Sequence, residues 1–233
     1  MRIAAHYSHL NGLEYLLVHK PHLWDEIRTV ISAVDAESHR TKVSKEKRIF
    51  GKLLYSPKAM NSAVAAGFRK LYWEERRVSY FVTDDERLIR RTMLLSRSEQ
   101  KAAIEAAGKV PFPSYNQTDF VRDRCMVEVQ FGKYAFVAHD LFVKHMAFYT
   151  TDHMDVGIEI LPMKSLQAQM SSGVPYYEGG PLRLDPGGSR RSPCPLVLVG
   201  LEPDARVSKA ALEKEALQEE KAIEAGLDPR QER

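Results

Sequence analysis

The chain has 233 residues, 44% hydrophobic and 28% charged, with a formal net charge of +3. That is enough apolar side chain for one sizeable core, and too little net charge to mark a nucleic-acid binder by itself. No run reaches the roughly 18 to 20 apolar residues of a membrane helix, and "MRIAAHYSHLNGLEYLLVHK" lacks the unbroken apolar segment of a signal peptide. A cytoplasmic protein with no membrane partner is expected, its two cysteines, Cys125 and Cys194, being too few for a disulfide framework and reduced by default.

Taken in order, "PHLWDEIRTVISAV" (21–34) sets Leu23, Ile27, Val30, Ile31 and Val34 at helical spacing behind a proline acceptable in a first turn. The polar segment 36–56 reads as a mobile connection, and a second helix is expected over about 57–72. "VSYFVT" (78–83) suits a short strand. "DDERLIRRTMLL" (84–95) and "RSEQKAAIEAAGK" suit two helices, the first with acids at its start and arginines later, the second stopped by Gly108. A proline-bearing break, "KVPFPSYNQ" (109–117), separates this largely helical half from four apolar runs: "CMVEVQF" (125–131), "YAFVA" (134–138), "DVGIEILP" (155–162) and "PLVLVGL" (195–201). Between the second and third, "HDLFVKHMAFY" (139–149) has helical spacing, with a core role favoured over an interface role. The reading is an α/β fold, a central mixed β-sheet flanked by helices, in one domain over 1–203. The loop 179–193 is exposed by composition, and 204–233 is a charged tail, helical or frayed.

Basic residues crowd into 39–52, 69–77 and 87–91, while acids gather in the tail. Such runs are ordinary for solvated helix faces and are only a footprint of polyanion binding.

One constellation could carry chemistry. Asp119, Glu128 and Gln130 form D-x8-E-x-Q, with Glu128 and Gln130 on one face of an apolar strand and Val127, Val129 and Phe131 on the other. A carboxylate inside such a strand requires a partner or a metal. A turn-borne Asp119 beside Glu128 could give Mg²⁺ two hard oxygen ligands, with phosphate and water completing the shell. That arrangement serves metal-assisted phosphodiester hydrolysis, Gln130 positioning the water or the phosphate, since an amide cannot be a base. Alone, the pattern is common, and a strand glutamate is more often the solvated side of a sheet. His6/His9 and His19/His22 lack the companions of a zinc site, and "TDHMD" (151–155) is explained more simply as a turn. There is no phosphate loop, nucleophile elbow or dinucleotide fingerprint.

"SYNQTDFVRDRCMVEVQFGKYAFVAHDLFVKHMAFY", "VGIEILPMK", "MSSGVPYYEG" and "YSHLNGLEY" together resemble the BglII-related type II restriction endonucleases, the BstYI-like enzymes among them, over about residues 1–203. The resemblance implies a restriction-endonuclease-like PD-(D/E)xK core, a homodimer, double-stranded DNA as substrate and Mg²⁺ as cofactor. It further implies cleavage of 5′-RGATCY-3′ after the outer purine, leaving 5′-GATC overhangs, and a cognate DNA methyltransferase as functional partner. Asp119 and Glu128 match the metal-binding acids. Gln130 stands where the wider superfamily has lysine, which leaves the proton acceptor open. For base readout Lys133 and the "MSSG" serines, Ser171 and Ser172, are favoured, because Lys donates to guanine O6/N7 and Ser both donates and accepts. The 39–52 segment would be a mobile arm contacting phosphates. Alternatives are a repair or structure-specific nuclease on the same core, or a non-catalytic dimeric DNA-binding protein.

Overall fold

In the computed structural model, the described residues are 1–132, 137, 139–181 and 192–204. The chain opens with β1 (Arg2–His9), then α1 (Gly12–His19) and α2 (Pro21–Ala33), the last starting on Pro21, where a missing N–H costs nothing. Two short strands, β2 (Lys42–Val43) and β3 (Leu53–Leu54), pair as a hairpin ahead of α3 (Pro57–Lys70), whose first turn is capped by Ser56 Oγ accepting from the Ala59 N–H at 3.3 Å. β4 (Glu74–Val82), α4 (Glu86–Thr92), α5 (Arg97–Ala106) and β5 (Phe112–Arg122) follow, α5 beginning in a Ser96/Glu99 capping box. β6 (Cys125–Val129) leads to a π-helical turn, Asp140–Lys144, that continues into α6 (His145–Thr150). β7 (Val156–Pro162), α7 (Lys164–Gln167) and β8 (Leu196–Glu202) complete the described fold.

β6, β7 and β8 are Val-, Ile- and Leu-rich and buried almost throughout, the composition of strands covered on both faces. They pair in parallel at the centre of a six-stranded mixed sheet of order β1-β8-β7-β6-β5-β4, the other pairings being antiparallel. Alternation sorts the side chains. Val127, Val129, Ile158, Ile160, Val197 and Val199 meet Leu16, Ile27, Ile31, Met60 and Phe68 of α1, α2 and α3. Met126, Leu161, Leu196 and Leu198 face the other way, onto Leu141 and Phe148. Each fully buried aliphatic side chain of this kind contributes about 1.5–3 kcal/mol. The register is therefore strongly specified, because a one-residue slip would exchange the two faces.

The expected α/β architecture of a mixed sheet flanked by helices is what the chain forms, and several local readings change. β1 was not expected from the sequence: its burial is partial along most of its length, and its place is set by pairing with β8. The 78–83 strand extends to Glu74–Val82, and the proline break over 109–117 is largely β5. Pro113 is tolerated because β6 pairs only with Phe120, Val121 and Arg122, so the proline faces β4 on one side and needs no ladder bond on the other. The 134–138 run falls mostly outside the described residues, but Val137 is helical, so the expected strand is not formed there. The 36–56 segment is not a structureless arm: it carries two 3₁₀ turns and the β2–β3 hairpin. The exposed loop and the tail fall mostly on residues outside those described. Cys125 and Cys194 are both free, in keeping with the reduced thiols expected, and both are buried.

Gly12 brings the start of α1 against the backbone of β8: a Cβ there would lie 2.6 Å from the Leu196 carbonyl oxygen. Because the obstacle is backbone within the central sheet, Gly12→Ala is expected to cost about 1–3 kcal/mol, as overpacked cores do. Chemical denaturation of the variant, compared with the parent, measures it; an unchanged midpoint would contradict the close approach.

Candidate active site

The β5–β6 hairpin builds the site. Its loop is Asp123–Arg124, both residues at positive φ (44° and 59°), as a tight two-residue turn demands. With Phe120 opposite Val127 and both in the α2/α3 core, Asp119 falls on the opposite face, the face of Glu128. Asp119 is thus on a strand rather than in a turn, and the nine-residue offset to Glu128 is a hairpin spacing. The Val129 N–H donates to Asp119 Oδ2 at 3.1 Å, tying the aspartate to the end of β6.

Asp119, Glu128 and Gln130 line one open pocket of about 410 Å³, together with Asn61, Asp140 and Lys144. Glu128 is 3% exposed. Lys144 Nζ lies 2.9 Å from Glu128 Oε2 and 2.8 Å from Asp140 Oδ1, and Gln130 Nε2 donates to Asp140 Oδ2 at 2.7 Å. Glu128 Oε1 is buried with no hydrogen-bond partner. Burial pushes the Glu128 carboxyl up to about 8, the Asp119 carboxylate adding to the rise and Lys144 opposing it. Asp119 is itself raised, by desolvation from the cleft walls although it remains open to solvent, against the pull of the Val129 N–H. Burial works against the charge of Lys144, but Glu128 and Asp140 outweigh it and hold the ammonium above its usual range.

Behind Glu128, β7 places Glu159 in direct register with it, 0% exposed and 3.5 Å from His145 Nε2. Burial raises the Glu159 carboxyl well above the usual range, with Asp140 and Glu128 adding to it, while burial lowers His145 to about 4. Burial is the first cause of both shifts, and each disfavours the charged form of its group.

The donor set suits a hard divalent cation. Two adjacent carboxylates, one with an unpaired buried oxygen, offer oxygen ligands, and no group of three His, Cys, Asp or Glu side chains that could hold a metal occurs among the described residues. Two protein ligands with the rest of the shell left to water and phosphate is the arrangement Mg²⁺ favours.

Of the residues singled out from the sequence, Asp119, Glu128 and Gln130 come together. Ser171 and Ser172 do not line this pocket: Lys42 donates to Ser171 Oγ, and the Ser172 N–H donates to Glu46 Oε1 at 2.9 Å, joining their loop to the β2–β3 hairpin segment. Lys133 lies outside the described residues. Asp155 of "TDHMD" is held by Lys20 and Arg124, each at 2.8 Å, a structural network at the β5–β6 turn. His9 Nε2 sits 2.8 Å from the Ser192 carbonyl oxygen. Sequence reading missed Asn61, Asp140, Lys144 and Glu159. Alternation in β7 could have revealed Glu159, which interrupts an apolar strand much as Glu128 does; Asp140 and Lys144 show the i,i+4 spacing of a helical pair, but neither they nor Asn61 carry a spacing that ties them to Glu128.

Among curated protein sequences no match was found. The fold is similar to a solved structure titled "Crystal structure of free BglII", with a TM-score of 0.52 and 18% identity, covering 88% of this chain and 81% of that one. The sequence profile of the family described as restriction endonuclease BglII/BglIII matches residues 4–201, a span that includes the β5–β6 hairpin with its paired acids and reaches into every strand of the six-stranded sheet. The chain belongs to the BglII/BglIII restriction endonuclease family.

Proposed function

We propose that the protein is a Mg²⁺-dependent type II endonuclease that acts as a homodimer on double-stranded DNA. The observation that carries the reading is the Asp119–Glu128 pair in an open pocket, with Glu128 Oε1 buried and unpartnered. Asp119 and Glu128 would hold the cation. When bound, Mg²⁺ polarises the phosphoryl oxygen and makes a water more acidic. Asp119 is fixed by the Val129 N–H, and Gln130 is fixed by Asp140, so its amide orients the water or the phosphate without accepting a proton. Glu159 and His145, both buried, back Glu128 on its β7 side.

The sequence cut is proposed to be that of the BstYI-like branch, 5′-R^GATCY-3′, leaving 5′ overhangs. Support comes from the family membership and the motif Asp119, Glu128, Gln130. A palindrome is read most economically by a two-fold dimer, each subunit presenting one surface to one half-site. Lys133, Ser171 and Ser172 remain the proposed base readers, each good contact discriminating by about 1–3 kcal/mol. A DNA methyltransferase acting on the same site is the proposed functional partner. The domain is proposed to span 1–203, with 204–233 a charged tail.

Incubation of a defined plasmid with purified protein and Mg²⁺, followed by run-off sequencing of the ends, is expected to give discrete fragments cut after the outer purine of RGATCY. Fragments without a common sequence would point to a repair or structure-specific nuclease, and binding without cleavage to a non-catalytic DNA-binding protein. Asp119→Ala and Glu128→Ala are each expected to abolish cleavage while specific duplex binding survives in a gel-shift assay. A variant that cuts at the parental rate would remove that residue from the site.

The raised Glu128 carboxyl also makes stability depend on pH. Its folded value, about 8, lies above the unfolded one, so the folded state binds the extra proton; its contribution is complete below the unfolded value and is lost as pH rises through about 8. Metal-free protein is expected to lose several degrees of melting temperature between pH 5 and pH 9 from this group, and Glu128→Gln to flatten that slope. Thermal melts of both proteins across this range, without and then with Mg²⁺, measure the difference; parallel curves for the two would contradict it.

A further inference from the structure

The strand position that carries lysine in the wider superfamily is Gln130 here, yet the pocket does contain a lysine. Lys144 enters it from the π-helical turn Asp140–Lys144, its side chain 15% exposed, and among the described lining residues it is the only lysine or arginine. The His145 N–H donates to the Asp140 carbonyl, five residues back, as a π turn requires. Such turns are frequent at functional sites.

From there Lys144 joins two of the acids. Its ammonium contacts Glu128 Oε2 at 2.9 Å and Asp140 Oδ1 at 2.8 Å, and Asp140 Oδ2 accepts from Gln130 Nε2 at 2.7 Å. The relay has two geometric results. It occupies one oxygen of Glu128 and leaves Oε1 without a partner. It also settles which way the Gln130 amide points, since a carboxylate paired with an ammonium only accepts, and the amide must turn its NH₂ toward Asp140. The Gln130 oxygen is then placed beside Gly132, where an added Cβ would come within 3.0 Å of it.

We propose that Lys144 is a positioning residue of the cleavage centre, supplied by the helix rather than by the strand: it presents Glu128 Oε1 for the cation and, through Asp140, turns the Gln130 oxygen toward the cleft. This rests on the endonuclease reading. The ammonium acts through Glu128 and Asp140, with no contact to the reacting atoms required.

The test uses the full chain with Lys144→Met, which keeps the aliphatic stem and removes the charge, and with Lys144→Arg. Three quantities are read: single-turnover cleavage of a prebound RGATCY duplex in Mg²⁺, Mn²⁺ binding to the DNA-free protein by calorimetry, and duplex binding without metal. Loss of a group that orients metal ligands is expected to weaken both cleavage and Mn²⁺ affinity by about 10- to 100-fold in Lys144→Met, with duplex binding within about threefold of the parent and cleavage recovered about tenfold in Lys144→Arg. Cleavage or Mn²⁺ binding by Lys144→Met at the parental level would overturn the proposal, as would a loss of duplex binding equal to the loss of cleavage. If Lys144→Met does not fold, Asp140→Asn interrupts the same relay at similar volume: a cleavage loss of about tenfold or more supports it, and parental cleavage overturns it. A parent protein that cuts no DNA in Mg²⁺ would instead defeat the endonuclease reading itself.

Discussion

A carboxylate at position 128 has to be held in a sheet whose central strands are sealed on both faces, and much of the site follows from that. Glu128 is almost cut off from water, so its charge is offset by the Lys144 ammonium, while burial and the neighbouring Asp119 carboxylate make it hold its proton to higher pH than a surface glutamate would. A buried charge that loses its partner typically costs 3–5 kcal/mol, so the surrounding groups are constrained as tightly as Glu128 itself. The same cost makes Glu128 useful: its unpaired oxygen is a place where a divalent cation gains more than it would at the surface.

The two halves of the chain contribute differently to this site. The β5–β6 hairpin sets Asp119 and Glu128 by local geometry, a tight turn and a fixed register. The π turn and α6, which follow β6 in sequence, fold back over the sheet and deliver Asp140, Lys144 and His145 to the face that carries Glu128 and Glu159. α3 lends Asn61 to the pocket lining, and otherwise α2 and α3 act from the other side. They hold the opposite face of the sheet through Phe68, Phe120 and Trp73, with Phe68 stacked on Phe120 at 4.6 Å, so the strand bearing Glu128 has no freedom to slip.

The misread segments share a cause. Pro113 looked like a break because proline is excluded from central strands, but whether a strand is central at a given residue depends on how far its neighbours extend. The 36–56 segment looked structureless because its strands are two residues each, and it is tied at its neighbour's loop through Lys42 and Glu46. β1 alternates only between exposed and half-buried positions, a shallow contrast on an edge strand, and its place is set by pairing with β8.

What the sequence determined by itself was whatever a period of two or 3.6 residues can encode: the apolar strands β6, β7 and β8, the amphipathic α2 and α3, and the placing of Glu128 and Gln130 on one face and their valine neighbours on the other. The pairing of Asp119 with Glu128 was legible as a spacing, though the hairpin behind it was not. Only the tertiary structure decided which groups meet Glu128 from outside its own hairpin. Lys144 and Glu159 reach Glu128 by helix packing and by parallel register, contacts between separate elements that no local periodicity records. That is why the missing strand lysine looked like an absence in the sequence, while in the fold a lysine stands within 2.9 Å of the glutamate.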